Sequence, residues 1–177
     1  MEVNEYVILV NENDQMIGTM EKMEAHVKGM LHRAFSIFIF NTKGQLLLQQ
    51  RANHKYHSGG KWTNTCCSHP RPGEGTRNAA NRRLKEEMGL LCDLQPAFNF
   101  TYHTEIQQGI TEYEYDHVFW GITNEQPDLC LEEAIAFRYQ DMADLETDIQ
   151  NHPEQYTTWL KICFDRVKSH HHQYFNS

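Results

Sequence analysis

Residues 68–90 read SHPRPGEGTRNAANRRLKEEMGL, a turn-rich loop followed by a helical pattern. The spacing predicts a helix over residues 76–88, with Thr76 as its N-cap and Gly89 as the C′ residue that ends it. An apolar stripe at four-residue spacing follows one face of this helix: Ala80, Leu84 and Met88. Two arginines precede two glutamates by four residues, which predicts the ion pairs Arg82–Glu86 and Arg83–Glu87.

Strands and further helices surround this segment. Apolar or extended patterns predict strands at residues 6–10, 62–70, 97–103, 112–120 and 134–139. A β-hairpin is expected from residues 35–40 and 46–50 around the turn at 41–44, and two more helices at 141–150 and 153–168. Residues 20–34 give no clear assignment. This order predicts a single α/β domain over residues 1–177, with its core at about 20–168 and a polar, histidine-rich surface tail at 169–177.

The composition limits the classes of function. The chain has 177 residues, 40% of them hydrophobic, and a formal net charge of −8. This charge disfavours nucleic-acid binding, because a polyanion is bound by a basic face. No apolar run approaches the roughly 20 residues that span a bilayer, and the N-terminus lacks a signal pattern, so we expect a cytoplasmic protein without membrane contact. Five irregularly spaced cysteines argue against a disulfide framework.

Two extended segments carry residue types that are common in catalytic or metal sites. Alternation places Cys67 and His69 on one strand face and Cys66 on the other. It also places Glu112, Glu114 and Asp116 together, opposite a set of aromatic residues. The cysteine pattern is also typical of a small core residue, and the acidic pattern is equally typical of a solvent-facing edge.

Histidines add to this set. His26 and His32 lie in the unassigned segment, so spacing alone does not bring them to one site. Three histidines and two glutamates would nevertheless make a plausible divalent-cation site. Imidazole suits Zn, Fe or Mn, whereas carboxylates favour Mn or Mg.

The spacing Ser68-x5-Glu74-x7-Arg82-Arg83-Leu84-x-Glu86-Glu87-x-Gly89-Leu90 resembles the Nudix box, G-x5-E-x7-R-E-U-x-E-E-x-G-U. Two positions depart from it. Ser68 replaces the first glycine, and Arg83 replaces a glutamate that contributes to the catalytic magnesium site of Nudix hydrolases. The second departure argues against diphosphate hydrolysis.

The whole chain resembles the type 1 isopentenyl-diphosphate Δ-isomerases, a branch of the Nudix superfamily. The resemblance rests mainly on Lys22-x3-His26-x5-His32-Arg33, Arg51-x3-Lys55, Trp62-Thr63-Asn64-Thr65-Cys66-Cys67-Ser68-His69-Pro70 and Glu112-Tyr113-Glu114. It implies a single Nudix-like domain with a mixed β-sheet between helices. It also implies the metal-dependent interconversion of isopentenyl and dimethylallyl diphosphate through a tertiary carbocation, without a flavin.

The resemblance further implies a role for each matching residue. Cys67 and Glu114 would be the catalytic pair on opposite sides of the substrate, and Tyr102 would hydrogen-bond in the proton-transfer array. A tightly bound Mn²⁺, Mg²⁺ or Zn²⁺ would have as ligands His26, His32, His69, Glu112 and Glu114. Glu87 would serve a second Mg²⁺ that engages the diphosphate. The diphosphate would contact Lys22, Arg51, Lys55 and Arg83. Trp159 would stabilise the carbocation or, equally, belong to the core.

Other functions and several details stay open at the level of the sequence. A Nudix diphosphate hydrolase and a non-catalytic sensor of metal and diphosphate are the alternatives. Four converging cations together with Mg²⁺ would explain how a chain of net charge −8 binds a diphosphate. The physiological metal, the direction of proton transfer between Cys67 and Glu114, the role of Cys66 and the oligomeric state are not decided.

Overall fold

A nine-stranded mixed β-sheet forms the centre of the computed structural model, which describes residues 5–176. Its strands are β1 (Tyr6–Val10), β2 (Met16–Glu21), β3 (His32–Phe40), β4 (Leu46–Arg51), β5 (Trp62–Thr63), β6 (Cys66–Ser68), β7 (Gln95–Gln107), β8 (Ile110–Ile122) and β9 (Ala134–Gln140). The helices are α1 (Lys22–Lys28), α2 (Thr76–Met88), α3 (Met142–Asn151) and α4 (Thr158–Phe175). The predicted α/β class is confirmed.

Strand β3 is the axis of the sheet. Along one edge it pairs in parallel with β8 over its whole length, from His32–Glu114 to Phe40–Ile122. Its other edge is shared by β1, β6 and β4 in turn. The predicted hairpin of β3 and β4 is therefore wrong in its extent, since only Phe40 and Leu46 pair. Strand β6 takes the place of β4 along the middle of β3, which brings the cysteine segment onto the central strand.

Helices cover both faces of the sheet because β3 is apolar on both sides. Phe35, Ile37 and Ile39 pack with the buried stripe of α2. Phe38 and Phe40 pack on the opposite face with α3 and α4. A strand that is buried on both faces is typical of a sheet between helix layers. The predicted mixed sheet between helices is thus confirmed.

The helix ends follow local capping chemistry. Helix α2 begins at Thr76, but its N-cap is Gly75, one residue earlier than predicted. Gly89 ends it with φ of 65°, as predicted, and donates its backbone N–H to the carbonyl of Lys85. In the unassigned segment, the Glu21 side chain caps α1 by accepting from two backbone N–H groups. This short helix carries His26.

The C-terminal segment is part of the folded domain, contrary to the expected tail. Helix α4 starts at Thr158, after a 3₁₀ turn at Pro153–Gln155, and continues through Phe175. His171 hydrogen-bonds the carbonyl of Gly44 at 2.8 Å, and the Phe175 ring packs against Phe40. Among residues 5–176, no helix combines the length and apolarity needed to cross a bilayer.

Candidate active site

A cavity of about 200 Å³ is lined by residues of the sheet, of α2 and of α4. For comparison, an engineered cavity of about 150 Å³ holds benzene, so a five-carbon group fits in this space. The side chains predicted for chemistry that line it are Cys67, His69, Glu87, Tyr102, Glu112, Glu114 and Trp159. The four predicted diphosphate contacts line it as well: Lys22, Arg51, Lys55 and Arg83.

Sheet register places the thiol and the carboxylate on one face of the sheet. Cys67 pairs with Ser36 on one edge of β3, and Glu114 pairs with His32 on the other edge. Residues 32 and 36 have the same parity, so both partners project to the same side. The two side chains therefore reach the cavity from strands on opposite edges of β3. Cys66 packs on the far face among the α2 residues, so the predicted alternation is confirmed.

The acidic face of β8 is buried. Glu112, Glu114 and Asp116 are 4%, 7% and 1% exposed, whereas the aromatic residues between them are only half-buried. A solvent-facing acidic edge is therefore the wrong interpretation of this pattern. Burying ionised carboxylates costs several kcal/mol each unless they are paired. Histidines on four other segments lie beside Glu112 and Glu114 and compensate their charge.

One group of histidines surrounds Glu114. The Nε2 atom of His69 lies 2.8 Å from its Oε1 atom, and the Nε2 atom of His32 lies 3.6 Å from it. The His26 ring lies 4.8 Å from that of His32, between centroids. These four side chains present potential ligand atoms within 4.8 Å of one another. Helix α1, strand β3 and the residue after β6 thus converge on β8.

The hydrogen bonds of these histidines suit a divalent cation. The Nδ1 atoms of His26 and His32 lie 2.6 and 2.8 Å from the backbone carbonyls of Lys22 and Met30. A carbonyl accepts only, so Nδ1 carries the proton and Nε2 faces the carboxylates as a potential ligand. The Nε2 atom of His26 and the Oε2 atom of Glu112 are 3.1 Å apart, and within residues 5–176 neither buried atom has a hydrogen-bond partner.

The electrostatics of this cluster attract positive charge. Although burial opposes it, Glu112 raises the pKa of His26, because the carboxylate stabilises positive charge on this ring. At His69, burial outweighs the effect of Glu114 and lowers the imidazole pKa to about 4. At Glu114 the opposite holds, because His32 and His69 outweigh burial and keep the carboxyl pKa well below its usual value. A divalent metal needs unprotonated imidazole nitrogens and ionised carboxylates as ligands, so it would compete with the proton for the Nε2 atom of His26.

The catalytic candidates differ in protonation. Burial raises the pKa of the Cys67 thiol, and the nearby charge of Arg51 opposes this only in part, so the thiol keeps its proton. Burial also raises the pKa of Tyr102, whose hydroxyl donates to the Oε2 atom of Glu114 at 2.6 Å. The cavity therefore holds a protonated thiol and an ionised carboxylate.

Three of the four predicted diphosphate contacts form ion pairs with acidic side chains. Lys22 lies 2.8 Å from Glu5, and Lys55 pairs with Glu133. Arg83 lies 3.0 Å from Glu133 and 2.6 Å from Glu87. The predicted pairs Arg83–Glu87 and Arg82–Glu86 are thus both present, the latter at 3.2 Å. Arg51 instead lies over the Trp159 ring, 5.2 Å from its centroid.

The position of Trp159 does not decide between its two interpretations. It is buried in the core beside α4 residues and also lines the cavity. Sequence reasoning missed several residues that line the cavity, among them Glu133 and His57. Glu133 bridges two cations from the turn before β9, and His57 lies 3.0 Å from Glu112. Neither belongs to a recognisable motif, because a loop position carries no periodic signal.

Comparisons with known proteins agree with the fold. A family model described as NUDIX domain matches residues 30–160. The isopentenyl-diphosphate Delta-isomerase of Pectobacterium atrosepticum is 52% identical over 161 residues, covering 91% of this chain and 90% of that protein. Isopentenyl-diphosphate Delta-isomerase 2 of Aromatoleum aromaticum is 50% identical over 167 residues, covering 94% and 88%. A Deinococcus radiodurans protein of known structure has a TM-score of 0.75 at 19% identity, covering 92% and 98%, which shows a shared fold.

Proposed function

Since this chain belongs to the isopentenyl-diphosphate Delta-isomerases of the NUDIX family, we propose that it interconverts isopentenyl diphosphate and dimethylallyl diphosphate. One observation carries the proposal. A protonated thiol, Cys67, and an ionised carboxylate, Glu114, reach one cavity from opposite edges of the same strand. Moving a double bond requires one proton to be added and another to be removed, and in this proposal these two groups do so.

The reaction balances without a redox partner. A proton adds to C4 of isopentenyl diphosphate, and the alkene electron pair forms the new C–H bond. This leaves a tertiary cation at C3. Loss of a proton from C2 then returns an electron pair to form the C2–C3 double bond. One residue of the Cys67–Glu114 pair gives the first proton and the other takes the second, and the roles exchange in the reverse direction.

Glu114 is held for this task by its neighbours. Tyr102 donates to one carboxylate oxygen at 2.6 Å, while His69 lies 2.8 Å from the other. Both oxygens are thus fixed, so little reorganisation is needed when charge develops nearby. In this proposal the Trp159 ring on the cavity wall adds a cation–π interaction with the carbocation, worth about 0.5–2 kcal/mol.

The polar end of the cavity suits the diphosphate. Lys22, Lys55 and Arg83 exchange their carboxylate partners for phosphate oxygens in this proposal, and Arg51 adds a fourth charge. Glu87 would serve the Mg²⁺ that accompanies the diphosphate. A divalent metal, Mn²⁺, Mg²⁺ or Zn²⁺, held by His26, His32, His69, Glu112 and Glu114, would supply positive charge that adjusts the proton affinity of the carboxylate.

Arg83 favours isomerisation over hydrolysis. Its guanidinium contacts Glu86, Glu87 and Glu133 and occupies the space between them. These carboxylates, more than the opposing effect of burial, raise the guanidinium pKa, so its charge is permanent. A hydrolytic magnesium cluster would have to sit where this positive charge already lies.

We also propose a cytoplasmic location, because the five cysteines are free thiols, which is typical of proteins in a reducing compartment.

Proton NMR of isopentenyl diphosphate with the protein and Mg²⁺ in heavy water tests this function. We expect dimethylallyl signals to grow to an equilibrium mixture, with no phosphate or pyrophosphate released in a parallel colorimetric assay. Release of pyrophosphate would instead support the hydrolase alternative. Stoichiometric binding without conversion or deuterium exchange would support the sensor alternative.

A further inference from the structure

His57 lies on the loop between β4 and β5 and is directed into the site. Its side chain lines the cavity and is only 5% exposed as a residue. Its Nε2 atom lies 3.0 Å from the Oε1 atom of Glu112, and its Nδ1 atom, also buried, has no hydrogen-bond partner within residues 5–176. Because Nε2 faces a carboxylate oxygen while Nδ1 has no partner, this environment favours a proton on Nε2.

The two oxygens of Glu112 therefore have different surroundings. Oε1 lies 3.0 Å from the Nε2 atom of His57, whereas Oε2 faces the Nε2 atom of His26 at 3.1 Å and has no hydrogen-bond partner within residues 5–176. The other nitrogen of His26 is engaged by the Lys22 carbonyl, so its Nε2 atom is the one presented to a cation. The contact with His57 engages Oε1 and leaves Oε2 as the oxygen available for the same cation.

The His57 ring is held in place by its neighbours. It meets Trp159 edge-on, with centroids 5.7 Å apart, and Tyr56 edge-on at 4.3 Å. The loop itself is tight, since a Cβ atom at Gly59 would lie 2.4 Å from the carbonyl oxygen of Asn53. A fixed ring on a constrained loop can set the orientation of a carboxylate, because neither side is free to rotate away.

We propose that His57 is a positioning residue of the metal site: it donates to Oε1 of Glu112 and thereby directs Oε2 at the bound cation. This inference rests on the metal site of the proposed function. Hydrogen-bond partners of metal ligands typically contribute about 10- to 100-fold to metal affinity. Loss of this donor should weaken cation binding by that factor while leaving the thiol and the diphosphate contacts in place.

Two amide variants separate donation from packing. In His57→Gln the side-chain amide reaches the position of Nε2 and can still donate to Glu112. In His57→Asn the amide reaches only the position of Nδ1 and cannot. The exposed His54 lies on the same loop, and its ring is 3.6 Å from Glu132, so His54→Asn is a matched control outside the cavity.

Titration of the metal-free proteins with Mn²⁺ alone, followed by electron paramagnetic resonance, gives the dissociation constants. We expect His57→Asn to bind about 10- to 100-fold more weakly than wild type, His57→Gln to stay within about threefold, and His54→Asn to be unchanged. Excess Mn²⁺ should restore the isomerase rate of His57→Asn. Equal affinity of wild type and His57→Asn, or equal losses in both amide variants, would overturn this inference alone. Absence of Mn²⁺ binding by wild type would overturn the metal site itself and the inference with it.

Discussion

Removing the Tyr102 hydroxyl is a direct test of how Glu114 is held. The hydroxyl donates to the Oε2 atom of Glu114 at 2.6 Å, and both groups are buried. In Tyr102→Phe the ring keeps its stacking on Phe100, where the planes are 22° apart and the centroids 5.5 Å apart. The fold should therefore survive, so that the lost hydrogen bond is the main change.

The expected loss follows from the charge on the acceptor. A hydrogen bond to a charged group contributes about 1.5–3 kcal/mol, and each 1.36 kcal/mol corresponds to a tenfold rate change. We therefore expect kcat to fall about 10- to 150-fold. The KM for isopentenyl diphosphate should change by less than about threefold, because Tyr102 contacts Glu114 and not the cations of the polar end.

Initial rates from proton NMR at several substrate concentrations measure both constants. Tyr113→Phe is the matched control, since Tyr113 lies on the opposite face of β8, packs against His103 and does not line the cavity. Its kcat should equal that of wild type. A Tyr102→Phe kcat within twofold of wild type, with an unchanged melting temperature, would refute the proposed support of Glu114.

Three further changes test other parts of the account. Arg83→Leu should raise the KM for isopentenyl diphosphate about tenfold or more in initial-rate assays, because it removes a charged diphosphate contact and leaves Glu87 and Glu133 less compensated; an unchanged KM contradicts that role. Leu84→Ala should lower the free energy of unfolding by about 2–5 kcal/mol in urea denaturation, since Leu84 is fully buried in the α2 stripe. Deleting residues 169–177 should lower the melting temperature, because Phe175 and His171 cover Phe40; an unchanged melting temperature would show that the segment is a dispensable tail.

Local patterns predicted what depends on local geometry. The α2 stripe and the glycine that ends the helix follow from spacing and from the backbone freedom of glycine, and both are found in place. Alternation separated Cys66 from Cys67 because the period of a strand is two, whatever its partners are.

Long-range pairing could not be predicted in this way. Strands β3 and β4 pair only next to their turn because β6 occupies the same edge of β3, and no local pattern in the sequence predicts this pairing. Glu112 and Glu114 on the acidic face of β8 are compensated by histidines from four distant segments, which no local pattern brings together. The segment at 169–177 was expected to be a surface tail, because Gly44 and Phe40, the contacts of His171, lie far away in the chain.

The most direct test of the central claim is solvent deuterium exchange by two single variants. The claim is that the Cys67 thiol and the Glu114 carboxylate each move one proton on the same substrate. In heavy water, wild type should incorporate deuterium into isopentenyl and dimethylallyl diphosphate, whereas Cys67→Ala and Glu114→Gln, both folded by circular dichroism, should show neither incorporation nor conversion. Incorporation and conversion at the wild-type rate in either variant would contradict the account.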